Sequence, residues 1–188
     1  TGTGTKIAEL SGMKLIKNFA HGNATASDWH DGDNILTKPN LGLPENMWFA
    51  DNTLSNQVRE FLDMNNGENT PDIVYIAIGT NDGKLEECGD MTPVFDDCDA
   101  VFEQEHTQLT KIGIASALRW AIEEIKKACP KAEIYAASPL QNCWEIEANA
   151  FSDAAIRQKR EIIRKVCDFC RVNFIDSYAE SEYTAEIA

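Results

Sequence analysis

No apolar stretch in this 188-residue chain approaches the roughly 20 residues that a membrane span requires, and no basic-then-apolar leader opens it. A membrane-spanning helix is therefore not expected. Basic residues are scarce too: 17 Lys and Arg stand against 31 Asp and Glu, a formal charge of -14. A surface of that sign repels a phosphate backbone or an anionic membrane, so nucleic acid is not an expected partner. No glycine-rich loop of the dinucleotide or P-loop type occurs, which weakens a nucleotide-binding reading that the fold class alone would allow. Histidine is limited to His21, His30 and His106, with none further on. What the chain does have is 43% hydrophobic residues, enough for the core of one ordinary domain.

The chain opens Thr1-Gly2-Thr3-Gly4 without a Met, and residues 180–188 end without a cap or turn signal, so it reads as a piece of a longer protein. Its six cysteines are an even number, compatible with disulfides in an oxidising compartment. Cys88 and Cys98 bracket a short turn-rich run and are the expected pair, a closure worth about 2 to 3 kcal/mol. Cys167-Asp-Phe-Cys170 has metal or redox spacing, but no second Cys pair or His cluster accompanies it. In a helical pattern these two read as buried small apolar side chains, or one pairs with another cysteine. The acidic pairs Glu86-Glu87 and Asp96-Asp97 lack a calcium-loop pattern and read as solvated faces.

Short apolar runs alternate with helical patterns from end to end, without a linker or internal repeat, which predicts an α/β fold. A helix ends at Ser11 with Gly12 as its stop, and a strand over 13–18 follows, carrying Leu15 and Ile16. After a long polar loop, a helix begins at Thr53 with Leu54, Val58, Phe61 and Leu62 on one face. The continuous apolar run 73–78 predicts a strand buried on both faces of a parallel sheet. A second long loop reaches about Gln108. A helix over 110–129 then has Ile114, Leu118, Ala121, Ile122 and Ile125 inward and is stopped by Pro130. A strand over 133–137 precedes a helix capped by Ser152, packed through Ile156, Ile163, Val166 and Cys167, and a last strand over 172–175.

Strands joined by such helices are parallel neighbours with right-handed crossovers, in a sheet covered on both faces, and ligands bind beyond their carboxyl ends. That edge carries 21–25 (HGNAT), 79–83 (GTNDG), Ser138-Pro139 and Asp176-Ser177. Trp29, Trp48 and Trp144 also fall in the exit loops. They form either a platform for a sugar or acyl group or a cover over apolar loop residues. An Asn amide at a strand end, as at Asn81, is a fixed uncharged donor suited to a developing oxyanion; it also suits a plain Asx turn.

Residues 71–82, PDIVYIAIGTND, resemble the third conserved block of the SGNH (GDSL-type) hydrolase family, in which the Asn of Gly-x-Asn-Asp completes the oxyanion hole. The resemblance assigns that role to Asn81. Residues 14–28, KLIKNFAHGNATASD, are similar to the family's second block, where a strand ends in Asn, here Asn18, and a following glycine donates its backbone N–H. The family spacing falls on Asn23 while a glycine stands at Gly22, so both remain candidates; Asn tolerates positive φ better than most residues. The helix, the Pro130 stop and the strand over 133–137 resemble the later family core. The resemblance implies a three-layer α/β/α sandwich with a parallel sheet, flavodoxin-like and of SGNH-hydrolase type, as one domain over 1–188.

The family's Gly-Asp-Ser nucleophile block and Asp-x-x-His block are absent from this chain. The expectation is that its first strand, nucleophile and catalytic Asp and His lie outside these residues. Asp176 resembles the Asp that ends the family's last strand, not the catalytic one. Among residues present, Ser138 lacks a nucleophile elbow and is followed by Pro139, and His106 precedes a helix as a structural residue would. The implied function is a serine esterase or acylhydrolase cleaving a carboxylic ester of a lipid or acylated carbohydrate through an acyl-enzyme, without a cofactor. Thr80, His21, Trp29 and Trp144 are its expected substrate-binding residues. The alternative is a non-catalytic relative that binds carbohydrate or protein through the same edge. The tryptophans and even cysteine count point to a secreted, periplasmic or cell-surface setting.

Overall fold

The computed structural model describes residues 3–20, 24–28, 53–64, 70–82, 94–141 and 152–180. Three parallel strands, β1 (Ile73–Ala77), β2 (Glu133–Ala137) and β3 (Asn173–Ile175), form a sheet in the order β1-β2-β3. Ile73 pairs with Glu133 and Ala77 with Ala137, and Tyr135 pairs with Asn173, so the three carboxyl ends lie along one edge. Helix α4 (Ile114–Ala128) carries the chain from β1 to β2, and α5 (Asp153–Cys170) from β2 to β3. Helices α1 (Thr3–Ser11) and α2 (Leu54–Met64) precede the sheet; α3 (Cys98–Phe102) and α6 (Ser177–Glu180) are short. This is the expected α/β fold, a central parallel sheet flanked by helices, with α4 packed against both α2 and α5.

The core follows the helical stripes. Ile114, Leu118, Ala121, Ile122 and Ile125 of α4 are buried, and so are Ile156, Ile163, Val166 and Cys167 of α5. Both ends of α5 are closed by specific groups. The Ser152 hydroxyl accepts from the Ala155 N–H at 3.2 Å. At the other end Arg171 adopts the left-handed conformation, φ 54°, so that Val172 N–H reaches the Cys167 carbonyl and Arg171 N–H that of Asp168, a Schellman closure.

The start of α4 departs from its sequence reading. The helix begins at Ile114, not 110, and its cap comes from far along the chain: the Asp96 carboxylate accepts from Ala115 and Ser116 N–H, each at 2.8 Å. Gly113 is glycine because a Cβ there would stand 2.1 Å from the Asp96 Cγ. Gly113→Ala should therefore displace the carboxylate and cost about 1 to 2 kcal/mol, the value of a lost cap. Urea unfolding checks this: Gly113→Ala combined with Asp96→Ala should lose little more than either alone, because both remove one cap.

Three expectations are corrected. Residues 13–18 form no strand: they run without a ladder partner, and Leu15 and Ile16 are 40% and 45% exposed. Two adjacent apolar residues point to opposite faces of a strand, and here neither side chain is buried. Instead Phe19 anchors this segment, edge-on to Phe61 of α2 at 6.0 Å. Strand β1 is not buried on both faces, since Ile73 and Ala77 are exposed and only Ile76 is fully covered. It pairs with β2 alone among the described residues, and an apolar run reads the same for an edge strand as for a central one. Finally, Cys98 is a free thiol buried at the start of α3, not a partner of Cys88. Cys167 and Cys170 are also free and buried in α5, where burial pushes their thiols up to about 12 and about 11, so they behave as small apolar groups. Cys88 and Cys143 lie outside the described residues.

Candidate functional site

The exit from β1 is a sharp corner set by Gly79. Its φ of +102° belongs to glycine, and a Cβ would meet Ile163 Cδ1 at 3.3 Å and Pro139 Cγ at 3.6 Å. The Asp82 N–H closes the turn onto the Gly79 carbonyl at 3.3 Å. Thr80 is exposed, Asn81 half-buried and Asp82 fully buried. Within three residues the chain passes from solvent into the core.

Asn81 and Asp82 both reach segment 24–28. The Asn81 amide donates through Nδ2 to the Ala24 carbonyl at 3.0 Å. Asp82 accepts from the N–H groups of Ala26 and Ser27, each at 2.8 Å, and from the Ser27 hydroxyl at 2.6 Å. The same segment is tied on its other side to α2, through the Leu54 N–H to the Thr25 carbonyl and the Ser55 hydroxyl to both oxygens of Asp28. The structure thus brings Asn81 to the residue immediately after Asn23. Gly22, Asn23 and His21 themselves, with Trp29, Trp48, Trp144 and His30, lie outside the described residues.

Beneath the corner stands a group that the motif reading did not include. Lys159, on the inner face of α5, has no solvent exposure and donates through Nζ to the Thr80 carbonyl at 3.1 Å. Burial pulls its ammonium down to about 8, against the opposing pull of the Asp82 carboxylate. Burial likewise raises Asp82, opposed by its hydrogen bonds and by Lys159.

The other strand exits serve structure. Ser138, buried after β2, accepts the Tyr178 N–H at 3.0 Å and so helps start α6. Asp176, after β3, is held by both arms of the Arg160 guanidinium, with Nε at 2.8 Å, and its carboxyl lies below the usual range for that reason. Tyr178 hydrogen-bonds Asp153 at the start of α5. His106 bridges Glu123 and Glu124 of α4 at 2.6 and 2.7 Å, a structural clamp as expected. Among the described residues no group of three or more His, Cys, Asp or Glu side chains is placed to hold a metal ion. Nor is any described helix long and apolar enough to cross a membrane.

The chain can be set beside known proteins on this geometry. No curated protein matches it in sequence. One solved crystal structure shares the fold at a TM-score of 0.56 and 17% identity, over 95% of this chain and 67% of that one. Another, described as a possible lipase from Chitinophaga pinensis DSM 2588, aligns at a TM-score of 0.47 and 17% identity, over 63% of this chain and 46% of its own. The profile of GDSL-like lipases and acylhydrolases matches residues 5–186, which takes in the β1 corner, segment 24–28 and the helices that buttress them. A match of that extent makes this chain a member of the GDSL-like lipase/acylhydrolase family.

Proposed function

We propose that this domain belongs to a serine esterase that cleaves a carboxylic ester of a lipid or an acylated carbohydrate, with Asn81 as an oxyanion-hole donor. The observation that carries the reading is the Asn81 amide, fixed at a strand exit by its bond to Ala24 next to the second candidate donor. One amide hydrogen is committed to the Ala24 carbonyl, while the second has no acceptor among the described residues. A primary amide anchored in this way cannot rotate freely, which is what preorganised stabilisation of charge requires.

In the reaction, a serine hydroxyl supplied from outside these residues attacks the ester carbonyl as a histidine takes its proton. The carbonyl oxygen becomes an oxyanion that accepts from Asn81 Nδ2 and from the backbone N–H of Gly22 or Asn23. Collapse expels the alcohol, protonated by the histidine, and water then hydrolyses the acyl-enzyme. Thr80, His21, Trp29 and Trp144 contact the substrate. A secreted, periplasmic or cell-surface setting belongs to the same proposal and rests on the tryptophans as a sugar platform, since Cys98, Cys167 and Cys170 are free thiols. The complete protein, treated with a serine-reactive fluorophosphonate, should be labelled once per chain and lose hydrolysis of a short acyl ester. Neither labelling nor hydrolysis would return the domain to the binding-module reading.

A further inference from the structure

The corner that presents Asn81 begins at a glycine, the residue with the widest backbone freedom, so something after it must fix the peptide plane. Two groups do. The Thr80 carbonyl shares its peptide plane with the Asn81 nitrogen, and the Lys159 ammonium donates to that carbonyl at 3.1 Å. On the other side of Asn81, the Asp82 carboxylate is locked to the backbone of Ala26 and Ser27. The dihedrals that flank Asn81 are therefore held from both sides, by α5 and by segment 24–28.

We propose that Lys159 is a positioning residue for the ester-cleaving reaction: from α5 it anchors the Thr80 carbonyl and so sets the direction of the Asn81 amide. The inference rests on the esterase reading above. Lys159 stands on the inner face of α5 among Ile156, Ile162 and Ile163, where a well-packed apolar side chain in place of a buried charge is often neutral or stabilising. Among the described residues the ammonium at this position holds a carbonyl one peptide away from the candidate donor. No apolar side chain offers that hydrogen bond.

The test compares wild type with Lys159→Met, and Asp82→Asn with Lys159→Met/Asp82→Asn, the double variant removing both charges so that a folded protein is retained. Each is measured for kcat and KM on a short acyl ester, for thermal midpoint, and for the side-chain amide signal of Asn81 in a nitrogen–proton correlation spectrum. Loss of Lys159 should lower kcat by about 10- to 100-fold with KM within about twofold, the pattern of a misplaced transition-state donor. The Asn81 signal should move while signals from the α4 and α5 cores stay in place. A folded variant with unchanged kcat and an unmoved Asn81 signal overturns the proposal, as does a loss of kcat that only tracks the thermal midpoint. If wild type itself neither hydrolyses esters nor reacts with the phosphonate, the esterase reading fails; the Asn81 signal still reports separately whether Lys159 fixes the corner.

Discussion

Asn81→Ala is expected to lower kcat for a short acyl ester by about 100- to 1,000-fold, about 3 to 4 kcal/mol of barrier, while KM and the thermal midpoint stay near wild type. The magnitude follows from what the amide is. It is neutral, so it gives up no proton, and it is held before the reaction starts by its bond to the Ala24 carbonyl. Its removal leaves the developing oxyanion with the backbone donor alone. In the ground state the same ester carbonyl is a weak acceptor, so binding changes little. The cost to the fold is that of one half-buried hydrogen bond, about 1 kcal/mol. Initial-rate kinetics on the complete protein, with a melting curve beside them, separate the two roles open to this residue. An Asn that only shapes a turn would lower the melting temperature and leave kcat alone, and that outcome would remove Asn81 from the site. Asn81→Asp should be slower still than Asn81→Ala, because a carboxylate at the corner repels the charge it is meant to stabilise.

What could be read from the sequence was what local periodicity writes into it. The inner stripes of α4 and α5 recur at helical spacing, and every residue assigned to them is buried. Strand β2 keeps its expected bounds because Pro130 ends the preceding helix and short β-forming residues follow. What could not be read depends on partners far away in the chain. The α4 cap is such a case, since nothing around residue 113 announces that Asp96 will fold back onto its amides. So is segment 13–18, where two apolar neighbours are as consistent with an extended coil as with a strand. The Gly-Thr-Asn-Asp corner carries its signal in the motif, which points to the Asn81 amide, while the bonds of the Asp82 carboxylate to Ala26 and Ser27 emerge only in the fold. Lys159 did leave a trace: it lies three residues after Ile156 and four before Ile163, a charged residue in the middle of an apolar stripe. That placement marks a buried charge, and only the fold identifies the Thr80 carbonyl as an acceptor for it.

Asp82→Ala is expected to be the most destabilising single change at the site, about 3 to 5 kcal/mol near neutral pH for the buried donors it leaves unsatisfied, read from urea unfolding. The substitution removes the acceptor for Ala26 N–H, Ser27 N–H and the Ser27 hydroxyl together, and it removes a negative charge that favours the Lys159 ammonium in the core. The second loss gives the effect a pH signature. Lys159 titrates at about 8 in the folded protein and at 10.5 in its ordinary state, so between those values the unfolded chain binds more protons and stability rises with pH. Without the attraction of Asp82 the folded value falls below about 8, so the variant begins to recover at a lower pH than wild type does. The deficit relative to wild type should therefore be larger at about pH 6 than at about pH 9, where the lysine is largely neutral in both folded proteins. Asp82→Asn should cost less than Asp82→Ala, because it retains volume and one acceptor. A deficit that does not change with pH would mean that the lost backbone hydrogen bonds account for the whole effect and that Lys159 and Asp82 are not energetically paired. In that case α5 would hold the corner through the Lys159–Thr80 hydrogen bond without help from the Asp82 charge.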